Sequence, residues 1–267
     1  MSRLADRFAT LRARGEKALI PFVTAGDPDL ATTEMLVQAI ALAGADAIEL
    51  GVPFSDPMAE GPTIQRASER ALKSGASLRK VLQLVERLRP RVDVPIILMG
   101  YANNVLAMGE QEFAVAAGDV GVDGLIAVDL PPEEGEELHD ALCARGVDPI
   151  LLAAPTTRPE RLEMLAKRTR GFLYFVSLTG TTGARQEISQ TVEREVRAVR
   201  AVSDVPVCVG FGVSTPEHAA RIAAFADGVA VGSALVDRIE RAGSPDAAVE
   251  AAADFVSELK RPLRPSR

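Results

Sequence analysis

Residues 205–231 read VPVCVGFGVSTPEHAARIAAFADGVAV. A short apolar run, 205–209, gives way to a Gly-containing turn. An amphipathic segment follows at 215–225, and a second apolar run at 227–231. Both runs are nearly continuous rather than alternating, as in strands covered on both faces. Strand, helix and parallel strand in succession make a right-handed βαβ unit. Going toward the N-terminus, the same alternation recurs with strands at 171–177, 147–152, 122–128, 94–99, 46–50 and 18–24. The helical segments between them are 28–43, 61–73 with 77–89, 110–118, 133–145, 158–168 and 189–201. Toward the C-terminus helices follow at 233–240 and 246–260, and a leading helix occupies 2–13. Eight such units in a chain of this length predict an α/β fold, a closed (β/α)8 or TIM barrel. It carries an extra N-terminal helix and extra short helices in its βα loops. An open doubly wound sheet would favour G-x-G-x-x-G after the first strand, and none follows 18–24. With no linker or composition break, one domain over 1–267 is expected, its tail 261–267 frayed.

Composition narrows the chemistry. The 267 residues include 30 Lys+Arg and 37 Asp+Glu, a net charge of -7. An acidic chain is a poor match to sequence-independent nucleic-acid binding, which needs a basic surface. Two Cys (143 and 208) and two His (139 and 218) rule out a disulfide-stapled fold and a Cys/His zinc cluster. The N-terminal MSRLADRFATLRARGEKAL has no apolar core of a signal peptide, and no apolar run approaches a membrane span. A cytoplasmic protein is expected.

In such barrels the working face is formed by loops at the carboxyl ends of the strands. The loop region 46–63, DAIELGVPFSDPMAEGPT, is one of four that stand out. Alternation turns Ile48 and Leu50 outward to the helices and Glu49 inward. An inward carboxylate has a raised pKa unless it is hydrogen-bonded, which suits acid/base work near neutral pH. A structural Glu, bonded to a neighbour, fits the same spacing. Asp56 and Glu60 follow, on a loop shaped by three prolines and two glycines. The long loop 177–189 has the character of a lid or an ordinary surface loop. GFGVSTPEH (210–218) and VGSALVD (231–237) each open a helix after a Gly turn, and Ser214 with Glu217 forms a capping box. Two helix N-termini side by side offer free N–H groups to a phosphate, in the usual place for these barrels.

A Schiff-base aldolase needs a barrel Lys. Of the five Lys, Lys17 precedes the first strand, and 73, 80, 167 and 260 lie in charged helical contexts. A metal-assisted aldolase would want more His or carboxylate ligands at the mouth than two helical His supply. Carbon–carbon cleavage would therefore rest on carboxylates, with the substrate providing its own electron sink.

ELGVPFSDPMAEGPTIQRA (49–67) resembles the signature of the tryptophan synthase alpha subunit. So, in the same order, do PFVTAGDP (21–28), LMGYANNVL (98–106), DGLIAVDLPPEE (123–134), YFVSLTGTTGAR (174–185), VGFGVSTPEHA (209–219) and GVAVGSALV (228–236). The likeness runs from about Ala18 to Leu259. It implies a lyase that cleaves indole-3-glycerol phosphate to indole and glyceraldehyde 3-phosphate by a retro-aldol step. It implies that Glu49 and Glu60 are the catalytic carboxylates, the first shuttling protons and the second stabilising the indole N–H. The indole tautomer is then the electron sink. The substrate pocket implied is Phe22, Ile64, Met99, Tyr101, Tyr174 and Thr182; the phosphate site is Gly183, Gly212, Gly232 and Ser233. No cofactor or metal is implied in this chain; pyridoxal phosphate belongs to a beta subunit, with which the family forms an α2β2 heterotetramer. Loops 52–60 and 101–107 and segment 129–134 imply the docking face, with Pro53, Asp56, Pro57 and Asn103 as contacts.

The sequence departs from the family pattern at two points. Position 60 is Glu where the family mostly has Asp, and 178–181 reads Leu-Thr-Gly-Thr. Three other readings remain open at the level of sequence: a stand-alone lyase, a catalytically weakened regulatory subunit, and another phosphosugar barrel enzyme, against which the 49–67 string argues.

Overall fold

A computed structural model describes residues 2–176, 190–210 and 212–265. Its strands are β1 (Ala18–Thr24), β2 (Ile48–Gly51), β3 (Ile96–Gly100), β4 (Gly124–Ala127), β5 (Asp148–Pro149), β6 (Leu152–Ala153), β7 (Leu173–Val176), β8 (Val207–Gly210) and β9 (Gly228–Val231). Its helices are α1 (Arg3–Ala13), α2 (Leu30–Leu42), α3 (Pro62–Lys73), α4 (Leu78–Leu88), α5 (Ala102–Leu106), α6 (Glu110–Val120), α7 (Glu136–Ala144), α8 (Pro159–Arg168), α9 (Gln190–Val202), α10 (Pro216–Ala223), α11 (Ser233–Arg241) and α12 (Pro245–Lys260). Every described strand pair is parallel, in the order β5-β4-β3-β2-β1-β9-β8-β7-β6.

β5 and β6 are two parts of the single predicted strand at 147–152. Pro149 has no N–H to give the ladder, which breaks a strand. The backbone between the parts still bonds both ways. Ile150 N donates to Leu125 O at 2.9 Å, toward β4, and Tyr174 N donates to Leu151 O at 3.0 Å, from β7. The sheet thereby returns on itself as a barrel.

Alternation sorts the core into layers. Leu19, Val23, Ile48 and Leu50 point outward and pack beneath the helices. Ala18, Ile20, Ala47, Ile97, Ile126 and Cys208 fill the interior, closed at the base by Leu4, Phe8 and Leu11 of α1. Ser2 caps α1, its side chain accepting from Ala5 N. One expectation is corrected here. The tail does not fray at 261: residues Arg261–Leu263 form a 3-10 turn, and buried Leu263 accepts from Lys17 N at 2.9 Å. Lys260, in its charged helical context at the end of α12, turns inward. It is 3% exposed at the barrel base, donating to Asp46 Oδ2 at 2.8 Å and Lys17 O at 3.1 Å. Among the described residues no helix is long and apolar enough to cross a membrane.

Candidate active site

β1, β2 and β3 run side by side, with Phe22 opposite Glu49 and Glu49 opposite Ile97. All three side chains point into the barrel. Glu49 is 1% exposed, and its Oε1 has no hydrogen-bond partner among the described residues. Burial alone pushes its carboxyl up to about 8. An ionised oxygen costs several kcal/mol to bury unpaired, so the group holds its proton instead. Tyr174, on the opposite wall, is also buried, and burial followed by the charge of Glu49 raises its phenol well above the usual range. Two glycines make room for these rings. A methyl on Gly51 would stand 2.4 Å from Phe22 Cζ, and one on Gly210 would stand 2.1 Å from the Tyr174 hydroxyl. Above this layer Phe22 forms a small apolar cluster with Ala67 and Val236, against which Ile64 and Met99 pack.

The second carboxylate approaches from the loop after β2. Tyr101, the residue ahead of α5, donates its hydroxyl to Glu60 Oε2 and accepts from Ala59 N at 2.9 Å. Its ring stacks on Phe54, centroids 4.9 Å apart. Gln65 Nε2 donates to Glu60 O at 3.0 Å and so ties the loop to α3. Burial raises the Glu60 carboxyl, and the Tyr101 hydroxyl partly opposes that. Burial, and then this same bond to Glu60, pushes the Tyr101 phenol up to about 12. The extra methylene of Glu60 is thus taken up in a reach to Tyr101.

At the adjoining strand ends, Gly212 adopts φ 45 in open space and Gly232 precedes α11, which has no side-chain cap. α10 is capped by Thr215, whose side chain accepts from His218 N, and not by Ser214 as the capping box predicts. Pro216 takes the first helical position, where its missing N–H costs nothing. Ser233 opens α11 and is exposed. Gly232 lies beside Phe22 and Ile64: a methyl there would stand 3.6 Å from Ile64 Cδ1. Thr182 and Gly183 lie outside the described residues.

Asp56 and Asn103 are exposed, Pro57 is half-buried and Pro53 is buried. Asn104 Nδ2 donates to Pro53 O at 3.4 Å, which joins α5 to the loop after β2. Met58 on the same loop is 83% exposed. Two residues at this end escape the sequence reading. Phe54 supports Tyr101. Thr24 shares Phe22's inward face and has a buried hydroxyl with no partner among the described residues; period-two alternation from Phe22 is the signal that could have found it. Among the described residues no three His, Cys, Asp or Glu side chains group so as to hold a metal ion.

Residues 8–264 match the family model of the tryptophan synthase alpha chain. The chain belongs to the tryptophan synthase alpha chain family. A tryptophan synthase alpha chain from Geobacter sp. (strain M21) is 53% identical over 261 residues, 98% of this chain and 97% of that one. The alpha chain of Thioalkalivibrio sulfidiphilus is 49% identical over 98% of this chain and its own full length. Among solved structures, tryptophan synthase subunit alpha from Legionella pneumophila superposes with a TM-score of 0.91 at 39% identity, covering 98% of both chains. Tryptophan synthase from Mycobacterium tuberculosis matches with a TM-score of 0.91 at 39% identity, over 99% of each chain. The alpha-chain family fold is a TIM barrel, and in this member Glu49 stands inside its mouth.

Proposed function

We propose that this alpha chain is the lyase that cleaves indole-3-glycerol phosphate to indole and D-glyceraldehyde 3-phosphate. The observation that carries the assignment of roles is Glu49, buried beside Phe22, protonated at neutral pH and with no partner for its Oε1 among the described residues. Its proton goes to indole C3 and gives the indolenine, which keeps its N–H and carries the positive charge. The carboxylate so formed takes the proton of the adjacent glycerol hydroxyl. The bond from C3 to the glycerol carbon then breaks; its electrons flow into the indolenine C=N, and the hydroxyl carbon becomes the aldehyde. Glu60, held by Tyr101, accepts the indole N–H and offsets the positive charge that grows on it. Phe22, Ile64, Met99 and Tyr174 enclose the ring, and Thr182 belongs to the same substrate pocket by the family resemblance. Gly183, Gly212, Gly232 and Ser233 hold the phosphate through backbone N–H groups. The chain's net charge of -7 gives no long-range attraction, so capture rests on those local donors.

The chain works as one barrel domain over 1–267, in the cytoplasm, as the alpha half of an α2β2 heterotetramer. The beta subunit holds pyridoxal phosphate, and this chain needs no cofactor of its own. Pro53, Asp56, Pro57 and Asn103 meet that partner; the exposed Met58 between them and Glu60 supports a docking face at the mouth. Indole release from indole-3-glycerol phosphate, measured with and without a beta subunit, tests the proposal. Cleavage that rises in the complex is the expected result. Cleavage at full rate alone, with no complex on size exclusion, would make the chain a stand-alone lyase. No cleavage under either condition would make it a regulatory subunit.

A further inference from the structure

The two ends of the site rest on different helices. α3 starts just after Glu60 and carries Ile64, while α11 starts at Ser233 behind Gly232. Further along both helices runs a chain of forked ion pairs. Arg70 of α3 grips Asp27 with Nε to Oδ1 at 2.7 Å and Nη2 to Oδ2 at 2.8 Å. Its remaining nitrogen, Nη1, donates to Glu240 Oε1 of α11 at 2.7 Å. One turn earlier, Arg66 forks onto Glu240 with Nε to Oε1 at 3.0 Å and Nη2 to Oε2 at 2.8 Å. Asp27 is 4% exposed in the loop after β1, the strand of Phe22, and Ser74 Oγ at the end of α3 donates to Gly26 O in that loop at 2.9 Å.

Stability is a weak reason for this arrangement. Exposed ion pairs contribute little, and the Arg66 side chain is half in solvent. Geometry is a better one. A planar guanidinium bonded on all three nitrogens fixes direction as well as distance, which an ammonium does not. The network spans the three elements that border the substrate and lies about two turns from both helix starts, so a tilt there would move Ile64 against Gly232. A shift of about 1 Å between reacting groups costs on the order of 100-fold in rate.

We propose that Arg70 and Glu240, with Asp27 and Arg66, form a positioning clamp that sets the distance between the indole end of the site on α3 and the phosphate end on α11. The clamp selects substrate by length. It rests on the retro-aldol reading above, and the parent chain's own turnover separates the two.

The test uses the full chain with a saturating beta subunit. Glu240→Gln should lower kcat/KM for indole-3-glycerol phosphate at least about tenfold. Affinity for inorganic phosphate, which probes one end alone, should stay within about twofold, because one end needs no gauge. Arg70→Lys should lose as much despite keeping its charge, because the fork is gone. Glu240→Asp should recover part of the rate. Should Glu240→Gln fail to fold, the Arg70→Lys and Glu240→Asp results decide. A kcat/KM within about twofold of the parent in Arg70→Lys, or a fall in phosphate affinity that matches the fall in kcat/KM, overturns the clamp. A parent chain that leaves the substrate intact overturns the reading of the site, and the clamp with it.

Discussion

Glu49 keeps its proton because the barrel wall buries it and, among the described residues, offers its Oε1 no donor. The folded state binds that proton far more tightly than an unfolded chain, where the ordinary value is 4.5. The stability this group contributes is therefore greatest below pH 4.5 and falls as pH rises toward 8. Two outcomes follow. The rate of cleavage should drop above about pH 8 as the acid form disappears, read from a pH–rate profile. Glu49→Gln should lower turnover by about 100- to 10,000-fold while raising the melting temperature at pH 8, since the amide carries no charge to bury. Near-normal turnover in that variant would end the acid/base assignment. At position 60 the reach to Tyr101 is what an Asp would lose. Glu60→Asp and Tyr101→Phe should both lower kcat; an Asp variant faster than the parent would show the site poorly adapted to Glu. Glu49 was legible from alternation along one strand. The Tyr101 bond to Glu60 was not, because it joins residues 41 apart that only the folded loop brings together.

At the scale of elements, the helical punctuation was readable and its fine register was not. The eight-unit alternation came from continuous apolar runs, and the proline that interrupts the fifth strand stands in the sequence at 149. Whether Ser214 or Thr215 caps α10 depends on where the chain turns after Gly212, which a local pattern does not decide. Gly51 is the element-level feature with the sharpest consequence. It ends β2 directly beneath the Phe22 ring, and a methyl there would meet ring carbons at 2.4 and 2.7 Å. The collision is with the ring that walls the pocket, so Gly51→Ala should push Phe22 toward the substrate. The expected result is a rise in KM of about tenfold or more with the barrel still folded, read by steady-state kinetics beside circular dichroism.

On the scale of the molecule, the working mouth is matched by a wired base. Asp46, Asp123 and Asp227 each stand just ahead of a strand. Each accepts from the backbone N–H of a neighbouring strand: Leu19, Ile96 and Val207. Each also meets a cation brought by another part of the chain: Lys260, Arg89 and Arg200. No spacing rule links residues 46 and 260, so the sequence shows only a Lys in a charged helical context and not its partner. Lys260→Met should destabilise the fold by about 3–5 kcal/mol at pH 7, because it leaves Asp46 as an unpaired buried charge. The loss should shrink toward pH 5, since burial already raises Asp46 and its protonation then removes the charge. Denaturant titration of parent and variant at the two pH values checks this; an equal loss at both would mean that Lys260 acts only through packing.

The same contact puts a clock into synthesis. A ribosome delivers Asp46 and β1 early and Lys260 more than two hundred residues later. Until that last turn of α12 emerges, the carboxylate at the foot of β2 lacks the ammonium that bonds it, so a growing barrel stays unsealed at its base until α12 has been made.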